Sequence, residues 1–163
     1  MGAVIAAHLA SRQVTRVVYG AIIGLTLIVT LEKHPPGAGV VIGSLVATAL
    51  AVAFAEIYAE YVGTETRERH RITRPEFSHM LDDAVAVAFG VAFPGIFFLL
   101  SVVGLLELDT AFSLAKWSGL GLIAFYGFCA GRLSGASIGR SLIQAAAVAA
   151  IGGAVIAFKA LIH

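Results

Sequence analysis

Five runs in this sequence are each close to the length that crosses a bilayer and nearly free of charge. They extend from Thr15 to Leu31, Gly37 to Val62, Ala84 to Leu106, Ala111 to Gly131 and Ser141 to Ile162. A helix rises about 1.5 Å per residue, so about 20 apolar residues span the hydrocarbon core. Of the 163 residues, 59% are hydrophobic and only 13% charged, against roughly half and a quarter in an ordinary soluble domain. So few polar residues could not cover the apolar surface of a soluble fold. The expectation is a single all-α integral membrane domain with five transmembrane helices.

The start, "MGAVIAAHLASRQVTR", places its basic residues Arg12 and Arg16 after the short apolar stretch, which is not the order of a signal peptide. It reads as a short interfacial helix lying on the membrane ahead of the first span. Orientation follows from basic residues in short loops. One side holds eight: Arg12, Arg16, Arg67, Arg69, Arg71, Arg74, Arg132 and Arg140; the other holds three: Lys33, Lys116 and Lys159. The N-terminus is therefore expected in the cytoplasm and the C-terminus on the opposite side, with 64–83 as a cytoplasmic loop. Short loops fit a bacterial cytoplasmic membrane better than an organelle.

A net charge of +1 gives no basic patch for nucleic acid. The single cysteine, Cys129, has no internal disulfide partner. No H-E-x-x-H, G-x-S-x-G, phosphate-cradling glycine loop or Cys/His metal motif is present, so an enzyme is not expected, nor a tightly bound cofactor. "GLGLIAFYGFCAG" and "AAAVAAIGGA" carry the small residues that let membrane helices approach closely. Pro94, in the middle of the third run, predicts a kink.

The charges inside the second run stand out. Glu56 and Glu60 are four residues apart, hence on one helix face and about 6 Å apart along the axis. Glu60 falls at the interface and Glu56 one turn deeper. On one reading both are interfacial, with Tyr58 and Tyr61 as belt aromatics. On the other they line a polar cavity on the cytoplasmic side. Two like charges this close disfavour double ionisation, and a cation replacing the retained proton would give cation–proton exchange. A second candidate is His79 with Asp82 or Asp83, in the spacing H-x-x-D-D. The competing view there is a solvated loop whose acids favour the start of the third span. Glu65 and Arg69 form an i,i+4 pair that would extend the second span as a helix into the cytosol. Glu32, Lys33 and His34 mark the far end of the first span.

The segments "GRLSGASIGRSLIQAAAVAAIGGAVIAFKALI" and "AEIYAEYVG" resemble the vacuolar iron transporter family, the second through Glu60, Tyr61 and Val62 on that family's E-Y-V. The resemblance implies five spans, a homodimer and transport of a divalent cation such as Fe²⁺ or Mn²⁺ in exchange for protons. Glu56, Glu60 and Tyr61 would then form the metal or proton site. The chain departs from that family at three places. Ile23 stands where the family's first-span Asp would be, in "GAIIGL". Glu56 replaces a Met, and so offers a hard oxygen ligand. The metal-binding insert has shrunk to 64–83. The alternative is a non-transporting scaffold or partner subunit that kept the fold and lost the path.

Overall fold

The computed structural model describes the backbone of residues 2–68 and 72–161, and the side chains of 13–66, 72–154 and 157. Among the described residues there are six α-helices and no strand: α1 Gly2–Leu31, α2 Ala38–Glu68, α3 Arg74–Ala92, α4 Gly95–Val102, α5 Leu108–Leu133 and α6 Ile138–Leu161. Their ends follow local chemistry. Pro35 and Pro36 prevent α1 from continuing. Thr73 caps α3, and the Glu76 carboxylate accepts both its backbone N–H (2.7 Å) and its hydroxyl (2.8 Å), with Pro75 in the first turn. Gly104 and Gly135, with φ of 79° and 77°, end α4 and α5 in the left-handed conformation that only glycine enters at little cost.

Among the described residues, two helical segments, Gln13–Leu31 and Ala38–Thr66, are long and apolar enough to cross a membrane. Helices α3 and α4 pass the same test together, bent by 50°, which makes three if the pair is one span. The bend falls at Pro94, where the sequence predicts it, because a proline has no N–H to give the preceding turn. Helix α5 carries Lys116 and many small residues, and α6 is apolar over Ile138–Ala154. Thus, among the described residues, length and apolarity alone give two or three crossings where the sequence pattern suggests five.

Two other boundaries differ from expectation. No separate interfacial helix precedes the first span, because residues 2–31 form one unbroken helix. Nothing between Gly2 and Pro35 interrupts its hydrogen bonding. The segment 64–83 is mostly helical, since α2 runs on to Glu68 and the Thr73 cap starts α3 at Arg74. The side chains of Arg12, Arg67, Arg69, Arg71 and Lys159, used for orientation, lie outside the described residues, as does the Glu65–Arg69 pair.

Helix α1 is central, packed against α3 on one side and α5 on the other; α2 lies outside α3 and α4, and α6 lies outside α5. The α1–α3 contact is backbone against backbone. A Cβ on Gly20 would collide with the Val87 carbonyl oxygen, and one on Gly90 with that of Val17. One on Gly24 would lie 2.7 Å from the Val91 carbonyl oxygen. The α5–α6 contact uses the same device, with Gly131 against Ser141 and Gly127 against Ala145. Where α1, α2, α4 and α5 meet, Phe98 and Phe112 stack edge to face at 4.9 Å, surrounded by Ile28, Val41 and Leu45.

Candidate functional site

The inward face of α2 is a stripe of Val41, Leu45, Ala49, Val52, Glu56 and Glu60, at spacings of three and four. The first three are buried; the two acids continue their line. Glu56 and Glu60 therefore face the neighbouring helices. Their side chains are 15% and 23% exposed, whereas Phe54 and Tyr58, on the other side of the helix, are 69% and 71% exposed.

What they face is Arg16. Its guanidinium pairs directly with Glu56 through Nη1, and Nη2 lies 3.5 Å from Glu60 Oε2. Its Nε lies 3.6 Å from Asp83 Oδ2. Arg16 is one turn before Gly20 on α1, so it shares the glycine face that meets α3. Asp83 is one turn before Val87 on α3. The close approach permitted by Gly20 and Gly90 thus delivers Asp83 to Arg16. Asp83 is the only buried acid among the described residues, its side chain 7% exposed. A buried carboxylate needs a partner, because desolvation costs several kcal/mol per ion by typical estimates. A guanidinium carries five donors in a planar fork, so one Arg16 can serve acids from two helices.

The sequence candidates are redistributed by this arrangement. Glu56 and Glu60 come together as expected, with an arginine between them and their surroundings. Tyr61 turns its hydroxyl to Glu65 (3.1 Å) and lines a cavity at the end of α2. Asp83 leaves the second candidate group and joins the first. His79 and Asp82 stay exposed on the outer side of α3, because the buried face there is Met80, Asp83, Ala84 and Val87. Among the described residues, no three His, Cys, Asp or Glu side chains are placed to hold a metal ion. Ile23 is half-buried on α1.

Sequence reasoning counted Arg16 only toward orientation. The signal that could have found it is its register: it precedes Gly20 and Gly24 by four and eight residues on a face that has to be buried for those glycines to matter. Arg16 sits near the middle of α1, whereas a second ion pair lies at its C-terminal end. There Lys116 Nζ of α5 donates to Glu32 Oε1 at 2.6 Å, just past the last turn of α1. The central helix is therefore tied by charge to a neighbour near its middle and at its C-terminal end. Compared with protein-family models, curated proteins and solved structures, the chain finds no match.

Proposed function

We propose that this chain is a five-span membrane protein that exchanges a divalent cation for protons, with the Arg16 cluster as the cytoplasmic station of the path. The observation that supports this is the convergence of Glu56, Glu60 and Asp83 on one guanidinium, on the inner faces of helices apolar enough to span a membrane. Ionisable groups inside spans are costly and mark ion or proton routes by default. Hard carboxylate oxygens suit Fe²⁺ or Mn²⁺, which is the cargo implied by the resemblance to vacuolar iron transporters. That resemblance also implies a homodimer.

On this reading Arg16 stands in for the cargo. A single tethered charge holds the acids while no cation is bound, and a divalent ion competes for them with twice the charge. Because no metal-holding trio is assembled among the described residues, Arg16 must withdraw before the acids can close on an ion. Water and backbone carbonyls would complete the shell.

A second reading has its own support. With Arg16 in place the acids already have a cation, and Ile23 offers none of the chemistry of an aspartate. The chain would then be a non-transporting subunit in which the cluster clamps α1, α2 and α3. Reconstitution in vesicles loaded with a metal-sensitive dye separates the two. With Fe²⁺, Mn²⁺ and Zn²⁺ tested under a pH gradient, transport predicts flux of at least one ion, lost in Glu56→Gln/Glu60→Gln. No flux with any ion selects the clamp. Flux that survives the double substitution keeps transport and removes the cluster from its path.

A further inference from the structure

The cavity between the end of α2 and the start of α3 is used by neither reading. It has a volume of about 440 Å³ and is lined by Tyr61, Glu65, Ile72, Thr73, Arg74 and Phe77. These six residues supply one acid, one base, two hydroxyls, two aromatic rings and one aliphatic side chain. Glu65 and Arg74, both exposed, are not paired with each other: Glu65 accepts from the Tyr61 hydroxyl at 3.1 Å, and no ion pair joins Arg74 to a described residue. The cavity therefore presents a positive and a negative group held apart.

The first turn of α3 contributes little to anion binding here. The Thr73 N–H and hydroxyl are both taken by Glu76, and Pro75 has no N–H. An anion in the cavity would rest on the Arg74 guanidinium. A cation would find the Glu65 carboxylate and the rings of Tyr61 and Phe77, which attract an ammonium through their π faces. A ligand carrying a phosphate and an ammonium a few bonds apart matches both halves. Its place in the fold names the source. The apolar run of α2 ends at Val62 and gives way to Glu65, Arg67 and Glu68, so the cavity lies where a spanning helix would reach the headgroup layer.

We propose that this cavity binds the headgroup of a zwitterionic phospholipid, with the phosphate on Arg74 and the ammonium on Glu65, Tyr61 and Phe77. The proposal needs only that α2 ends at the membrane surface. A negative flux assay leaves it standing, and its own failure leaves the transport reading untouched.

Binding is measured by native mass spectrometry of the detergent-purified full chain, titrated with short-chain phosphatidylethanolamine. Parallel titrations use short-chain phosphatidylglycerol, free phosphoethanolamine and inorganic phosphate. Arg74→Gln and Glu65→Gln should each weaken phosphatidylethanolamine binding about tenfold, the size of one charge-assisted hydrogen bond. Arg74→Lys should recover part of the loss, and Glu65→Gln should leave phosphatidylglycerol unaffected. Both positions are exposed, so helicity by circular dichroism should stay unchanged in all three variants. The proposal is overturned if phosphatidylethanolamine binds equally to wild type and both Gln variants, or if phosphatidylglycerol binds as tightly. Equal affinity for free phosphoethanolamine or inorganic phosphate would also overturn it, by assigning the cavity to a soluble ligand.

Discussion

Arg16 joins three helices through one side chain, and its removal leaves acids of α2 and α3 facing each other without it. Breaking a fully buried pair typically costs about 3–5 kcal/mol; with Arg16 29% exposed, Arg16→Gln should cost about 1–3 kcal/mol of stability. Unfolding of the purified protein in detergent measures this. Arg16→Lys should recover only part, because a point charge cannot span acids on two helices as a planar fork does. The triple change Arg16→Gln/Glu56→Gln/Glu60→Gln should lose less than the sum of its parts, since groups in one network do not act independently. Additivity would mean that the three side chains do not interact in solution. That Glu56 and Glu60 share a face was legible from their spacing. Their partner was not, because Glu60 and Arg16 are 44 residues apart in the chain.

Among the elements, the α1–α3 pair depends on the absence of side chains. Gly20→Ala or Gly90→Ala places a Cβ against a neighbouring carbonyl, so the helices must separate; overpacking of this kind costs about 1–3 kcal/mol. Gly43 has nothing within 4 Å of its would-be Cβ, so Gly43→Ala should be neutral or stabilise by up to about 1 kcal/mol through helix propensity. Thermal unfolding of the three variants side by side tests the contrast, and equal effects would refute the backbone contact. At the α3–α4 bend, Pro94→Ala restores an N–H that can bond back into α3. Spin labels on exposed Ser78 and Val102 should then move apart, because the 50° bend relaxes. The bend itself could be read from Pro94. The depth to which Gly20 and Gly90 are pressed could not, because glycine fits a loose contact as well as a tight one.

For the whole molecule, the two ion-paired positions along α1 differ in weight. The Lys116–Glu32 pair is 24% and 33% exposed and single, so a double-mutant cycle should give about 0.2–1 kcal/mol, falling with added salt. The Arg16–Glu56 cycle should exceed it. A larger value at Lys116–Glu32 would reverse the assignment of the main clamp. The proposed topology has a separate check in alkaline phosphatase fusions, which are active only outside the cytoplasm. Fusion after His163 should be active and fusion at Thr73 inactive; the reverse result would invert the chain, and equal activity would break the five-span count.

The sequence alone determined that the chain is helical, that its helices are apolar enough to enter a membrane, and that the third apolar run bends at Pro94. These are properties of neighbouring residues: hydrophobic runs and a proline without an N–H. Only the tertiary structure decided that Asp83 parts from His79 and Asp82, and that Glu56 and Glu60 close on Arg16. It did so because two glycines let α1 and α3 touch, and the meeting of distant helices is set by packing that no local pattern encodes.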